Sequence, residues 1–233
     1  RRRTFCMAVT ATDTRDRGRP SSWSAEIDQL AATWNEQRLF IISGGNSLQT
    51  IETQNAAQDY PDIQITESIH DPAQSWNALT VGAITDLVDI IDPKLESYRP
   101  VAEAKTLSPF STTSTTWEEN KWPIKPELVL EGGNLAIDDS GFATECDDLS
   151  ILSTAYKPDS QGYFYPFNMT SAATAQLGRM AGSIRAEYPG YWEETIRALL
   201  VHSASWPEAL KQQFISTEKK SDYQALLKIC GYG

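Results

Sequence analysis

A serine among small residues and an asparagine behind two glycines are the residues here whose types could share one reaction. In Asn168-Met169-Thr170-Ser171-Ala172-Ala173-Thr174-Ala175 the serine stands where a helix is expected to begin. Free N–H groups at that end stabilise developing negative charge, and small neighbours let a base and a carbonyl carbon reach the hydroxyl. In Ser43-Gly44-Gly45-Asn46 an amide follows the apolar run Leu39 to Ile42 and can donate to an oxyanion without adding charge. The glycines ahead of it let a substrate backbone approach. The chemistry that suits such a pair is acyl transfer, with Ser171 as nucleophile and Asn46 as oxyanion donor. Plainer readings stand beside it: Ser171 or Thr170 as a helix cap, and Gly-Gly-Asn as a turn.

The elements that would position these residues follow from hydrophobic periodicity. Thr4 to Val9 reads as a buried strand, and Ser24 as the cap of a helix carrying Ile27, Leu30, Ala31 and Trp34. Leu39 to Ile42 is a second strand, so the order strand, helix, strand predicts a βαβ crossover in a parallel sheet. Ala78 to Ile84 and Glu127 to Leu130 supply further strands, separated by the Ser- and Thr-rich stretch Ser108 to Trp122, which reads as a long irregular connection. From Ser171 onward two helices are expected. The first is built on Ala172, Ala175, Gly178, Ala181 and Gly182, and the second on Ile196, Leu199 and Leu200, ending near His202.

Composition narrows the partners. A formal net charge of -11 over 233 residues argues against a phosphate-binding surface, so no nucleic acid is expected. No apolar stretch approaches the roughly 20 residues that would span a bilayer, and no signal-peptide layout opens the chain, so no membrane partner is expected. Cys6, Cys146 and Cys230 are odd in number and far apart, which points to a reducing compartment and hence a cytoplasmic setting. No HExxH or clustered histidine set suggests a metal, no Gly-x-Ser-x-Gly elbow suggests an α/β-hydrolase, and no cofactor is expected. Oligomeric state is not legible.

The order of several blocks resembles the subtilisin-like serine peptidases. Met169-Thr170-Ser171-Ala172-Ala173, then Tyr188-Pro189, then Leu199-Leu200-Val201-His202-Ser203-Ala204 is similar to that family's Gly-Thr-Ser-x-Ala-x-Pro nucleophile segment, its Tyr-Pro turn and the helix that follows. Ser43-Gly44-Gly45-Asn46 resembles the family's strand ending in Ala-Gly-Asn, and Asp71-Pro72-Ala73 with Leu79-Thr80-Val81-Gly82-Ala83 its Pro-Ala and Val-Gly-Ala segments. Lys125-Pro126-Glu127 before Gly132-Gly133, and the final Gly231-Tyr232-Gly233, resemble further family blocks. Similarity is greatest to a bacterial branch with Ala-Leu-Leu-Val-His-Ser-Ala and a following Trp, here Ala198 to Trp206. Two positions depart from the pattern: Met169 replaces the usual glycine, which would be costly if the backbone there needs positive φ, and Ala175 replaces the usual proline.

The resemblance implies a three-layer α/β fold, with a mostly parallel sheet and helices on both faces. It also implies that residues 1 to 233 form one partial domain, incomplete at its N-terminal side, whose catalytic Asp and His lie upstream. The implied activity is serine endopeptidase cleavage of a polypeptide substrate. Val9, Thr10 and Ala11 would pair with extended substrate, Ser43, Gly44 and Gly45 would wall the pocket for the side chain before the cleaved bond, and Thr170 would contact substrate. His70 falls in a connecting loop and His202 at a helix end, so the base stays unassigned. A non-catalytic peptide-binding or scaffolding module on the same fold is the competing expectation.

Overall fold

The computed structural model describes residues 3–14, 16–33, 38–47, 56–118, 121–159, 162–217 and 219–233. Strand β1 (Arg3–Met7), helix α1 (Ser22–Ala31) and strand β2 (Arg38–Ser43) form the expected crossover, and β1 pairs with β2 in parallel. After the short helix α2 (Asp62–Thr66), strand β3 (Leu79–Thr85) pairs in parallel with β2. The small strands β4 (Arg99–Pro100) and β5 (Thr106–Leu107) come next, and β5 joins β3 antiparallel. Strand β6 (Leu128–Glu131) then extends the sheet from β3 in parallel. Among the described residues β1 pairs only with β2, so its outer edge is open.

Strand β2 shows why this sheet needs cover on both sides. A period of two sends Leu39 and Ile41 into one cluster and Phe40 and Ile42 into another, and all four are buried. Helices α3 (Met169–Glu187) and α4 (Glu193–Ser203) cover the first face through Ala173, Leu177, Ala181, Ile196 and Leu200. Helix α1 covers the second face through Ile27. Helices α5 (Glu208–Phe214) and α6 (Lys220–Cys230) pack Leu210, Leu226 and Ile229 against Leu107 and Val129. Each buried Leu or Ile contributes about 1.5 to 3 kcal/mol relative to exposure, so the two faces hold the sheet in place cooperatively.

Several local expectations change. Helix α1 is capped by Ser21, whose hydroxyl accepts from the Ser24 N–H while Ser24 Oγ accepts from the Ser21 N–H, a reciprocal capping box. Ser24 is therefore the third helical residue rather than the cap, and Trp34 lies outside the described residues. In α3 the buried residues are Thr170, Ala172, Ala173, Thr174, Leu177 and Ala181, so Ala172 and Ala181 lie inward as expected, whereas Ala175 and Gly182 are exposed. Gly178 keeps its packing role, since a Cβ there would come within 3.3 Å of Cys6. The Ser- and Thr-rich connection is irregular but deeply buried at Ser108, Ser111, Thr112, Thr113 and Ser114, its hydroxyls bonding neighbouring backbone.

Two features lie away from this core. Strands β7 (Leu135–Ile137) and β8 (Ala143–Glu145) add to β4 in a small antiparallel sheet. Strands β9 (Ile151–Asp159) and β10 (Gly162–Phe167) form an antiparallel hairpin that leads directly into α3 and exposes Tyr156, Tyr163, Phe164 and Tyr165.

Beneath α4 sits a buried charge cluster. The fully buried Lys125 Nζ donates to the Ala78 carbonyl at 2.9 Å and to Glu127 Oε1 at 2.6 Å. Glu127 Oε2 accepts from the Thr80 N–H at 2.7 Å, and Arg197 reaches Glu127 Oε1 and the carbonyls of Trp76 and Asn77. Burial pushes the Lys125 ammonium below its ordinary pKa, and Glu127 opposes that shift.

Candidate active site

The end of β2 and the start of α3 meet. Gly44 continues the sheet by donating to the Val81 carbonyl at 2.8 Å, and Gly45 then turns the chain at φ 96°, a conformation that favours glycine. Asn46 follows, half-buried. Its Oδ1 accepts from the Thr170 N–H at 3.0 Å and lies 2.7 Å from Thr170 Oγ1, which is also 2.9 Å from the Gly45 carbonyl. A backbone N–H only donates, so the Asn46 amide must turn its oxygen toward Thr170. That leaves Nδ2 pointing elsewhere, with no partner among the described residues.

Ser171 is the next residue of α3. The first N–H groups of any helix lack an intrahelical acceptor. In α3, Met169 N–H is taken by the Gly132 carbonyl at 2.6 Å and Thr170 N–H by Asn46. The N–H of Ser171 has no acceptor among the described residues, and neither does its hydroxyl have a partner. Asn168 is the helix cap by position and makes no capping bond with its side chain, so neither Thr170 nor Ser171 serves as a cap. One hydroxyl and two donors, Asn46 Nδ2 and Ser171 N–H, are thus uncommitted where strand and helix join. This is the composition of a nucleophile with an oxyanion site.

Thr170 is fully buried, and its N–H and hydroxyl are engaged with Asn46 and the Gly45 carbonyl. Met169 answers the question raised by its replacement of glycine: it does adopt positive φ, 70°, and its side chain packs among Phe110, Leu135 and Ile137. Gly132 leaves room for this, because a Cβ there would come within 3.1 Å of the Met169 carbonyl oxygen and 2.5 Å of Ala83 Cβ.

The expected substrate edge divides. Val9 is exposed and Thr10 half-buried, whereas Ala11 has its N–H on the Asp71 carbonyl at 2.7 Å and its carbonyl against His70 Nδ1 at 2.8 Å. Ala11 therefore has its N–H committed, while its carbonyl keeps one lone pair. Ser43, Gly44 and Gly45 are all buried, and the His70 ring lies against Gly45. A Cβ on Gly45 would fall 2.3 Å from His70 Cγ, and the His70 N–H donates to the Gly44 carbonyl at 2.9 Å. Burial lowers the His70 pKa, opposed by its bond to Ala11 and by Glu67. His202 lies in the last turn of α4, and neither histidine bonds Ser171. In the sequence His70 reads only as a loop residue; its contact with Gly45 spans residues far apart in the chain and leaves no local signal.

The Subtilase family model, Peptidase_S8, matches residues 1–233. The chain belongs to that family. Among similar proteins is the uncharacterised protein y4bN of Sinorhizobium fredii, 28% identical over 233 residues that cover 94% of this chain and 51% of that protein. The chain therefore spans about half the length of this curated relative. The prenylagaramide maturation protease PagA shares the fold at 18% identity, covering 97% of this chain and 62% of that one with a TM-score of 0.50. A cold-adapted subtilisin-like serine proteinase aligns at 17% identity over 74% of this chain and 40% of its own, with a TM-score of 0.42. The subtilases are a family of serine-type peptidases. No helix among the described residues is long and apolar enough to cross a membrane.

Proposed function

We propose that this chain supplies the nucleophile and oxyanion site of a serine endopeptidase, with Ser171 attacking the peptide carbonyl and Asn46 Nδ2 and the Ser171 N–H receiving the oxyanion. The observation that carries the reading is the Thr170 clamp, which fixes the Asn46 amide and leaves its donor uncommitted beside the serine. Such a donor supplies about 3 to 4 kcal/mol of transition-state stabilisation, a magnitude borrowed from subtilisin, a family relative.

The base and the carboxylate that orients it belong to residues outside these 233. His70 is engaged by Ala11, His202 sits at the end of α4, and the open edge of β1 offers a further parallel strand somewhere to pair. In the assembled site the missing histidine takes the Ser171 proton during attack and returns it to the leaving amine. Val9 and Thr10 present the edge along which extended substrate lies, and Gly44 and Gly45 wall the pocket for the side chain preceding the scissile bond. Three free cysteines support a cytoplasmic setting, and the Sinorhizobium relative supports a bacterial source. The competing reading, a non-catalytic peptide-binding module, is favoured by the left-handed Met169 where the family pattern has glycine.

Labelling of the whole protein with a fluorophosphonate decides between them. Modification mapped to Ser171 and lost in Ser171→Ala is expected; absence of labelling in folded protein overturns the peptidase reading and leaves the binding module.

A further inference from the structure

The β9–β10 hairpin turns its apolar residues toward solvent. A period of two puts Leu152, Thr154 and Tyr156 on one face of β9, and Phe164, opposite Thr154, joins them. Leu152 is 70% exposed, Tyr156 93% and Phe164 63%, and no described residue of either strand belongs to a core cluster. A two-stranded hairpin buries little within itself, so large apolar side chains kept in water on it fit a surface that a partner covers. Beside them lies an open hollow of about 880 Å³, lined by Asp147, Tyr156, Phe164 and Tyr165 among others. The surroundings are acidic. Residues 86–98 and 131–167 hold eleven carboxylates and two lysines, a net -9 of the chain's -11. The two segments meet at the base of the hairpin, where Asp148 Oδ2 accepts from the N–H groups of Ile91 and Asp92 at 2.7 and 2.8 Å. Asp147 is exposed at the border of the hollow, and Glu145 Oε2 accepts at 3.2 Å from Nδ2 of Asn168, the residue between β10 and α3.

We infer that this hairpin is a docking site for a basic, arginine-bearing segment of the polypeptide substrate, outside the residues that flank the cleaved bond. The inference rests on the peptidase reading and adds a class of substrate to it. Guanidinium planes stack on the Tyr and Phe rings while their charge faces the carboxylates, and their alkyl stems cover Leu152. A lysine tract carries the charge without the plane and binds less tightly, and an acidic segment is repelled. The chain sets the reach. Phe164 precedes Ser171 by seven residues, at most roughly 24 Å at about 3.4 Å per residue, so the basic segment falls within about eight residues of the cleaved bond.

The test reads binding first, by fluorescence anisotropy of the whole protein carrying Ser171→Ala with labelled peptides that differ only in having Arg, Lys or Gln at the same positions. The Arg peptide binds about tenfold more tightly than the Gln peptide and a few-fold more tightly than the Lys peptide. Tyr156→Ser combined with Phe164→Ser alters two exposed side chains and no charge, and it weakens the Arg peptide about tenfold; general attraction to an acidic protein would leave that affinity unchanged. Asp147→Asn weakens it by about two- to threefold. In protein with Ser171 intact, an Arg tract within about eight residues of the cleaved bond lowers KM about tenfold, the same tract placed beyond that reach does not, and the double variant loses the gain while Ser171 labelling persists. Equal binding of the Arg and Gln peptides, an Arg affinity unchanged in the double variant, or a dimer of the whole protein that the double variant dissociates overturns the docking site and leaves the peptidase reading intact. Arg binding that survives in folded wild type whose Ser171 is never labelled overturns the peptidase reading and keeps the docking face.

Discussion

Two polar regions touch the same parallel sheet and treat their hydrogen bonds in opposite ways. At Lys125, Glu127 and Arg197 the hydrogen bonds of the buried ions close on one another and on the carbonyls and N–H around them. At Asn46 and Ser171 only half of the amide is committed, and a hydroxyl and a backbone N–H are left over. Polar groups bonded to one another fix a shape; uncommitted ones in a rigid frame are available to a substrate. A buried, charged residue is thus a poor guide to function in this chain, and an uncharged residue with a spare donor is a better one.

Removing one ion sharpens the contrast most. Lys125→Met leaves Glu127 buried with a weaker partner and is expected to cost about 3 to 5 kcal/mol of stability by denaturant unfolding. Adding Glu127→Gln, which keeps an acceptor for the Thr80 N–H, recovers much of that loss. A Lys125→Met loss below about 1 kcal/mol would mean that Glu127 does not depend on Lys125 as its partner. Asn46→Asp probes the other region. It retains an acceptor for Thr170 but replaces the donor with an oxygen, so kcat falls by about 10²- to 10³-fold while the unfolding midpoint hardly moves. Full activity in Asn46→Asp would assign the oxyanion to other donors.

The smallest effect concerns Met169. A left-handed methionine costs on the order of 1 kcal/mol of backbone strain, and its half-buried side chain returns a similar amount. Met169→Gly is therefore expected within about 1 kcal/mol of wild type, whereas Met169→Ala keeps the strain, loses the packing and is the less stable of the two. The reverse order would show that the positive φ at this position carries little strain.

The sheet was legible because β2, β3 and β6 are runs of apolar residues bounded by turns, the pattern that two covered faces impose. The approach of Asn46 to the start of α3 was legible through family resemblance, not through spacing. The β9–β10 hairpin was not, since Tyr163, Phe164 and Tyr165 do not alternate with polar residues and offer no period to read. Helices α5 and α6 are equally hard to read: α5 has seven residues, and in α6 the buried Leu226, Ile229 and Cys230 occupy only its C-terminal end. The cap of α1 lies three residues from its expected place because Ser21 and Ser24 are both serines and only geometry separates cap from partner. The bonds of Thr170 to Asn46 and Gly45 were hidden for a related reason: a hydroxyl looks available until the neighbour that occupies it is seen.

The bond from Thr170 to Asn46 joins residues 124 apart in sequence. A contact of such length forms late, after the intervening strands have closed their loops at an entropic cost that local helices do not incur. The reactive centre consequently reports on the state of the whole chain. On the peptidase reading, a half-folded molecule has Asn46 unanchored and Ser171 without an oxyanion site, which would spare chains in mid-synthesis from cutting one another.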